Sequence, residues 1–273
     1  MSEQRTAITT GASSGIGLAT VLELARRGFR SVGTVRSHDK AAVVAEAARV
    51  ANVTVETVLL DVTDPERCAT VIEEHEPYAL VNNAGYSITG SVEDVTDAEA
   101  HAAFETMVFA PLRLARLALP HMRESGGGRI VNVSSIYGRT STPLTGWYQG
   151  AKHALEGLSD ALRMEVARDD IRVILVEPGG FRTGIWEEME REIAKRAGSR
   201  YEGAYNRTLT TTRWWQPFMG DPAQCAKAIG AAVTTHWPRA RYLVGRDAQA
   251  LALWSSLTPT EMRDRIVRLV MSL

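Results

Sequence analysis

Short apolar runs alternate with longer amphipathic ones over most of this chain. Residues 5–9 form a brief apolar run. A glycine-rich turn separates it from a helical periodicity reaching about Arg27, with Ile16, Val21, Leu22, Leu24 and Ala25 on the apolar side. The short run recurs at residues 31–35, 53–60, 79–81, 130–133 and 172–176, each read as a buried strand. The helical pattern recurs at residues 41–50, after Pro65 with Asp64 as its cap, at 98–123, and from Tyr148 to about Arg168. Pro111 and Pro120 are expected to kink the third of these or to end its turns. Six strand–helix alternations with no break in composition predict one α/β domain, a parallel, doubly wound sheet with right-handed crossovers.

Beyond residue 183 the pattern changes. Residues 185–196 predict a charge-rich amphipathic helix, 222–234 a helix capped by Asp221, and 241–244 a seventh strand. Residues 247–273 predict a helical extension broken near Thr258 and Pro259. Tyr201, Tyr205, Trp214, Trp215, Phe218 and Met219 fall in a stretch read as irregular. Residues 184–220 therefore read either as a substrate lid or as a docked surface unit whose aromatics only pack it down.

Ligands of such sheets bind at the carboxyl ends of the strands, and the chemistry-bearing residues fall there. Thr10-Gly11-Ala12-Ser13-Ser14-Gly15-Ile16-Gly17 joins the first strand to the first helix. Gly11 permits a tight turn, Gly15 a close backbone approach, and Gly17 the packing of helix on strand. The helix start then offers free N–H groups to a pyrophosphate. Arg36 ends the second strand where an acid would select a 2′-hydroxyl; an arginine there, assisted by Lys40, suits a 2′-phosphate instead. That predicts NADP(H) over NAD(H). Asp61 and Val62 end the third strand, with Asp61 read either as an adenine partner or as a turn-former. Asn82-Asn83-Ala84-Gly85 ends the fourth and would support the cofactor ribose.

Ser134 and Ser135 end the fifth strand. Thirteen positions after Ser135 comes Tyr148, and four later Lys152. The tyrosine and lysine share one helix face. An ammonium beside a phenol favours the phenolate, so the pair is expected to exchange protons near neutral pH. Glu177-Pro178-Gly179-Gly180-Phe181-Arg182-Thr183 turns after the sixth strand.

Net charge is −1, which gives no electrostatic case for nucleic acid or an anionic membrane. Cys68 and Cys225, the two cysteines, are too far apart in sequence to suggest a zinc site or a disulfide framework. No apolar run reaches the length of a spanning helix, and the start resembles neither a signal nor a transit peptide. The expectation is a cytoplasmic protein with no metal.

Together these residues resemble the short-chain dehydrogenase/reductase family. Thr10 to Gly17 is similar to its TGxxxGxG motif and Asn82 to Gly85 to its NNAG motif. Ser135, Tyr148 and Lys152 resemble its catalytic serine and YxxxK. Pro178-Gly179, Phe181 and Thr183 fall in its nicotinamide-side segment. The resemblance implies a Rossmann-type fold and NAD(P)-dependent hydride transfer between an alcohol and a carbonyl. Its cofactor contacts would be Gly11, Ser13, Ser14, Gly15, Ile16, Gly17, Arg36, Asp61, Val62, Asn83, Ala84, Gly85, Tyr148, Lys152, Pro178, Gly179, Phe181 and Thr183. Tyr148 would be the proton donor or acceptor, Lys152 its modulator and ribose ligand, and Ser135 the substrate-oxygen partner. Hydroxysteroid- and retinol-type members suggest an apolar substrate. Family members are commonly homodimers or homotetramers, through the helices here at 98–123 and 148–168. One departure stands out: Met107 occupies the position of an asparagine that helps link the lysine to solvent through water. That leaves a second reading open, an NADP(H)-binding redox sensor or scaffold with weak catalysis.

Overall fold

The computed structural model describes residues 4–271 and 273. Its centre is a seven-stranded sheet in the order β3-β2-β1-β4-β5-β6-β7, with every pairing parallel. The strands are β1 (Thr6–Thr9), β2 (Arg30–Val35), β3 (Glu56–Leu59), β4 (Ala79–Asn82), β5 (Gly128–Val133), β6 (Ile171–Pro178) and β7 (Arg241–Val244). The chain order reverses between β1 and β4, which opens a crevice at their carboxyl ends.

Alternate residues of each strand face opposite layers. Ile8, Leu80, Ile130 and Val173 pack against α3 (Pro65–His75) and α5 (Ala110–Glu124), through Cys68, Val71, Leu114 and Met122. Ala7, Val81, Val131 and Ile174 pack against α1 (Gly15–Arg26) and α9 (Pro222–Thr234), through Leu24, Ile229 and Val233. Burial on both faces explains why these strands read as continuous apolar runs. Cys68 and Cys225 are buried free thiols. Asp64 caps α3 by accepting from Arg67 N at 3.0 Å.

The helix expected over residues 98–123 is interrupted. α4 (Asp97–Phe104) passes into a π-helical turn, Glu105–Phe109, before α5 begins. Pro111 has no N–H to continue the ladder, and one wider turn absorbs the missing bond. Pro120 lies within α5 and does not end it. The segment read as irregular is also helical: α7 (Ile185–Ala194) is followed by α8 (Glu202–Trp215). Tyr205 and Leu209, four apart on α8, pack with Met189 and Ile193 of α7 in one cluster, and that pairing stabilises a stretch rich in threonine. The carboxyl-terminal region forms α10 (Arg246–Leu257) and α11 (Thr260–Met271), broken where Thr258 and Pro259 suggest. Among the described residues no helix is long and apolar enough to cross a membrane.

Candidate active site

The exits of β1 and β4 are tied together by side chains. The Thr10 hydroxyl accepts from the backbone N–H of Asn83 and of Ala84, both at 3.0 Å. Asn83 Nδ2 donates to the carbonyls of Thr10 (2.9 Å) and Gly11 (3.2 Å). Gly11 and Gly15 have φ of +67° and +52°, in the left-handed region. A Cβ on Gly17 would stand 2.2 Å from Gly11 O and 2.5 Å from Asn83 Nδ2. The glycine motif is thus required by contact with the asparagine motif.

α1 starts at this junction. Its cap Ser14 makes no side-chain capping bond, and its first turn carries no acidic residue. The terminal N–H groups, with Ser13 and Ser14 beside them, therefore suit an anion with no competing carboxylate. Across the crevice a Cβ on Gly15 would lie 2.9 Å from Thr183 Cγ2, so the β6 exit closes on the glycine turn.

Arg36 is exposed at the end of β2, and no acid occupies that tip. Asp61 Oδ1 accepts from Thr63 N (3.0 Å) and Thr63 Oγ1 (2.7 Å), so one oxygen serves the turn. The Thr63 backbone bond, with the Thr63 hydroxyl and the Arg36 charge, holds its carboxyl below the usual range despite partial burial. Val62 is buried, and its carbonyl accepts from Arg113 Nη1 at 3.2 Å.

β5 delivers Ser134 and Ser135, and a single 3₁₀ turn, Ile136–Gly138, follows with Ser135 Oγ accepting from Tyr137 N at 3.2 Å. The loop after it is pinned by Gln149, whose amide bonds Thr142 and Thr145 at the start of α6 (Gly146–Glu165). That helix then presents Tyr148 and Lys152. Lys152 Nζ donates to Val133 O at 2.9 Å and lies 5.7 Å from the centroid of the Tyr148 ring. Ser135, Tyr148 and Lys152 are thereby brought together from two elements.

Their electrostatics differ from the expectation. Burial pushes the Tyr148 phenol up to about 12; a hydrogen bond from Ser135 opposes it and the neighbouring Tyr137 adds to it. Burial also pulls Lys152 down to about 8, with the Glu156 carboxylate acting against it. Spacing four on a helix does not by itself make the ammonium dominate: desolvation disfavours both charged forms, and the ring-to-ammonium distance leaves it the larger effect.

Met107 lies in the π turn, 1% exposed, in a cluster with Ile88, Ala103, Val108 and Ala151 against which Tyr148 packs. Its Sδ stands 3.6 Å from where a Cβ on Gly85 would be. The position is apolar and filled.

Pro178 is the last residue of β6, and Gly179 N donates to Val244 O at 2.9 Å. Gly180 N donates to Asp247 Oδ2 at 2.6 Å, and a Cβ on Gly179 would fall 2.4 Å from Asp247 Oδ1. Asp247 is a site-shaping residue that the sequence reading missed; an acid in the first turn of a helix beginning just past a strand and Gly245 was the available signal. Phe181 is buried, its carbonyl accepting from Trp186 Nε1 at 2.7 Å.

The aromatics of residues 201–219 divide. Tyr205 is 1% exposed, and its hydroxyl binds Ser91 N (2.6 Å) and Asp94 Oδ2 (2.7 Å), fastening α8 to the loop before α4. Trp214, Trp215 and Phe218 pack on one another in edge-on and tilted contacts and face solvent.

A parallel sheet, an anion-suited helix start and a Ser–Tyr–Lys group at one crevice define a nucleotide-dependent oxidoreductase of Rossmann type. The chain belongs to the short-chain dehydrogenase/reductase family: the model of the short chain dehydrogenase family matches residues 5–194. An uncharacterized oxidoreductase, YusZ, of Bacillus subtilis is 35% identical over 97% of this chain and 98% of its own. Human retinol dehydrogenase 5 is 31% identical over 96% and 87%. Among solved structures, a short-chain dehydrogenase from Streptomyces avermitilis superposes with a TM-score of 0.79 at 35% identity, covering 94% of this chain and 93% of its own. One from Burkholderia cenocepacia, in complex with NADP, does so with 0.76 at 25%, covering 97% and 98%. The protein is accordingly an NAD(P)-dependent oxidoreductase of the kind that acts on CH–OH groups.

Proposed function

We propose that this protein interconverts an apolar alcohol and its ketone or aldehyde with NADP(H), using Tyr148 as proton donor and acceptor. The observation that carries this reading is the convergence of Ser135, Tyr148 and a buried Lys152 beside the Pro178–Thr183 turn. The residues present fit the nucleotide: an uncapped Ser14, an acid-free first helical turn, and Gly11 and Gly15, whose left-handed backbone shapes the turn at the helix start. When bound, the nicotinamide supplies or removes the hydride.

The chain's own residues do the rest. Gly11 to Gly17 bind the pyrophosphate, with Asn83, Ala84 and Gly85 supporting the turn. Arg36, with Asp61 holding the adjacent loop, takes the 2′-phosphate; the NADP complex of the Burkholderia relative supports that preference. Pro178, Gly179, Phe181 and Thr183 wall the nicotinamide side. In reduction, the Ser135 hydroxyl and the Tyr148 phenol hold the substrate oxygen, and Tyr148 gives it a proton as negative charge develops. A phenol held neutral at working pH is prepared for donation. In oxidation Lys152, charged below about 8, favours the phenolate that receives the proton.

The apolar substrate rests on the cluster of Tyr86, Phe104, Trp147 and Tyr148 around Met107, and on the retinol dehydrogenase relative. α7 and α8 serve as the lid in this reading. Exposed Phe109, Leu158 and Met164, near the two helices flanking β5, support subunit pairing there. A panel of hydrophobic aldehydes and ketones with NADPH tests the reading: oxidation of NADPH with at least one member is expected, and binding without turnover across the panel would favour a sensor or scaffold.

A further inference from the structure

α6 carries ionisable residues at every fourth position: Tyr148, Lys152, Glu156 and Asp160. Residues four apart are neighbours on a helix, so these four form one line. Its ends differ in exposure. Lys152 and Glu156 are 6% and 5% exposed, whereas the Asp160 side chain is 36% exposed. The line therefore runs from the catalytic tyrosine, through the interior, to the surface.

Glu156 has no use in the machinery described so far, and its burial costs free energy unless it is served by partners. Arg241 of β7 contacts it, but the same guanidinium also bonds Glu177 Oε1 of β6 at 2.7 Å and Asp160 Oδ2 at 2.5 Å. One cation thus faces three carboxylates. Arg139, past the 3₁₀ turn, attends to Glu177 (2.8 Å), and Arg163 to Asp160 (2.7 Å). On its inner side Glu156 Oε1 faces the hydroxyl of Ser134, from the end of β5, and neither atom has another partner among the described residues. Both flank Gly138, where a Cβ would lie 3.1 Å from Glu156 Oε1 and 2.7 Å from Ser134 Oγ. Ser134, Glu177 and Arg241 are the polar groups that act on this carboxyl, with Lys152 and Asp160 one helical turn to either side. Burial first, then the Glu177 charge, raises its proton affinity against the bonds from Ser134 and Arg241.

Lys152 needs a route to solvent, and the Met107 side chain, a thioether among aliphatic carbons, offers it no good hydrogen-bond partner. We propose that Tyr148, Lys152, Glu156 and Asp160 form a proton line along one face of α6, with Glu156 the relay between Lys152 and solvent. This rests on the roles given above to Tyr148 and Lys152. In reduction the substrate gains a hydride from the cofactor and a proton from the Tyr148 O–H, leaving a tyrosinate. Lys152 returns one proton to it, the Glu156 carboxyl one helical turn away re-protonates the lysine through water, and Glu156 regains a proton from solvent by way of Asp160. One solvent proton is consumed per turnover. Glu156 and Asp160 are positioning residues in this scheme, since they touch neither substrate nor cofactor.

Glu156→Gln keeps the shape and removes the exchangeable acid. With NADPH and decanal, or another panel carbonyl that the wild type reduces, rapid mixing should show a first-turnover burst of NADPH oxidation at the wild-type rate. Proton uptake, followed with a pH indicator, and steady-state kcat should both fall, on the order of tenfold, with KM within about twofold. Asp160→Asn, at a half-buried position, should slow proton uptake with the burst preserved, and it serves if Glu156→Gln does not fold. The proposal is overturned if either variant keeps wild-type proton uptake and kcat, or if burst and kcat fall together. Tyr148→Phe separates the two levels: if it too turns over like the wild type, the reading of the catalytic tyrosine fails, whereas an inactive Tyr148→Phe beside an unaffected Glu156→Gln sinks the relay alone.

Discussion

Lys152 shows how one side chain can cost stability in order to serve a site. Burial lowers its affinity for a proton, to a pKa of about 8 from an ordinary 10.5. The unfolded chain therefore binds more protons than the native one between those values, so this residue's destabilisation is full below about pH 8 and gone above about 10.5. Lys152→Met should raise the unfolding free energy near pH 7, by about 1–3 kcal/mol, and the increment should shrink as pH rises through that window. Denaturation at pH 7 and pH 10 checks both sign and trend. Arg36 makes a second test at this scale. It is exposed at a strand tip with no acid in place, and a charge-assisted phosphate contact is worth about 1.5–3 kcal/mol. Arg36→Ala should weaken NADPH binding by about tenfold or more in a fluorescence titration and leave NADH unchanged; an equal effect on both would remove its 2′-phosphate role.

At the scale of elements, the glycine turn and the asparagine segment act as one joint. Gly17→Ala would drive a methyl against Gly11 O and Asn83 Nδ2, main-chain and amide atoms that are already bonded to each other. Overpacking of that kind costs about 1–3 kcal/mol. Thermal melts should show that loss together with weaker NADPH binding; an unchanged melting temperature would contradict the joint. The strands and most helices were legible in sequence because burial on two faces leaves unbroken apolar runs and because Asp64, Asp221 and Pro259 punctuate them. The π turn was not legible, since its cause, Pro111, predicts a defect but not which kind. α8 was missed because threonine and tryptophan are poor helix formers, and the helix depends on Tyr205 and Leu209 meeting α7. Tertiary contacts of this sort leave no local period.

At the scale of the whole molecule, the sheet reversal between β1 and β4 brings four strand exits to one crevice, and the three catalytic candidates were readable because they are spaced by that architecture. The electrostatics were not readable. A four-residue spacing says that Tyr148 and Lys152 are neighbours, but their proton affinities depend on how deeply the fold buries them, and burial is a property of every packed element around α6. Asp247 likewise reaches Gly180 only because β7 carries α10 back over the β6 exit. The same architecture makes the central claim testable with one variant. Tyr148→Phe removes a hydroxyl at a half-buried ring and should leave the fold intact and NADPH still bound. NADPH oxidation against the hydrophobic carbonyl panel, measured for wild type and variant side by side, should show turnover in the wild type and a loss of about 10²–10⁴-fold in the variant. A variant that turns over like the wild type, or two proteins equally silent on every substrate while both bind NADPH, would contradict the account.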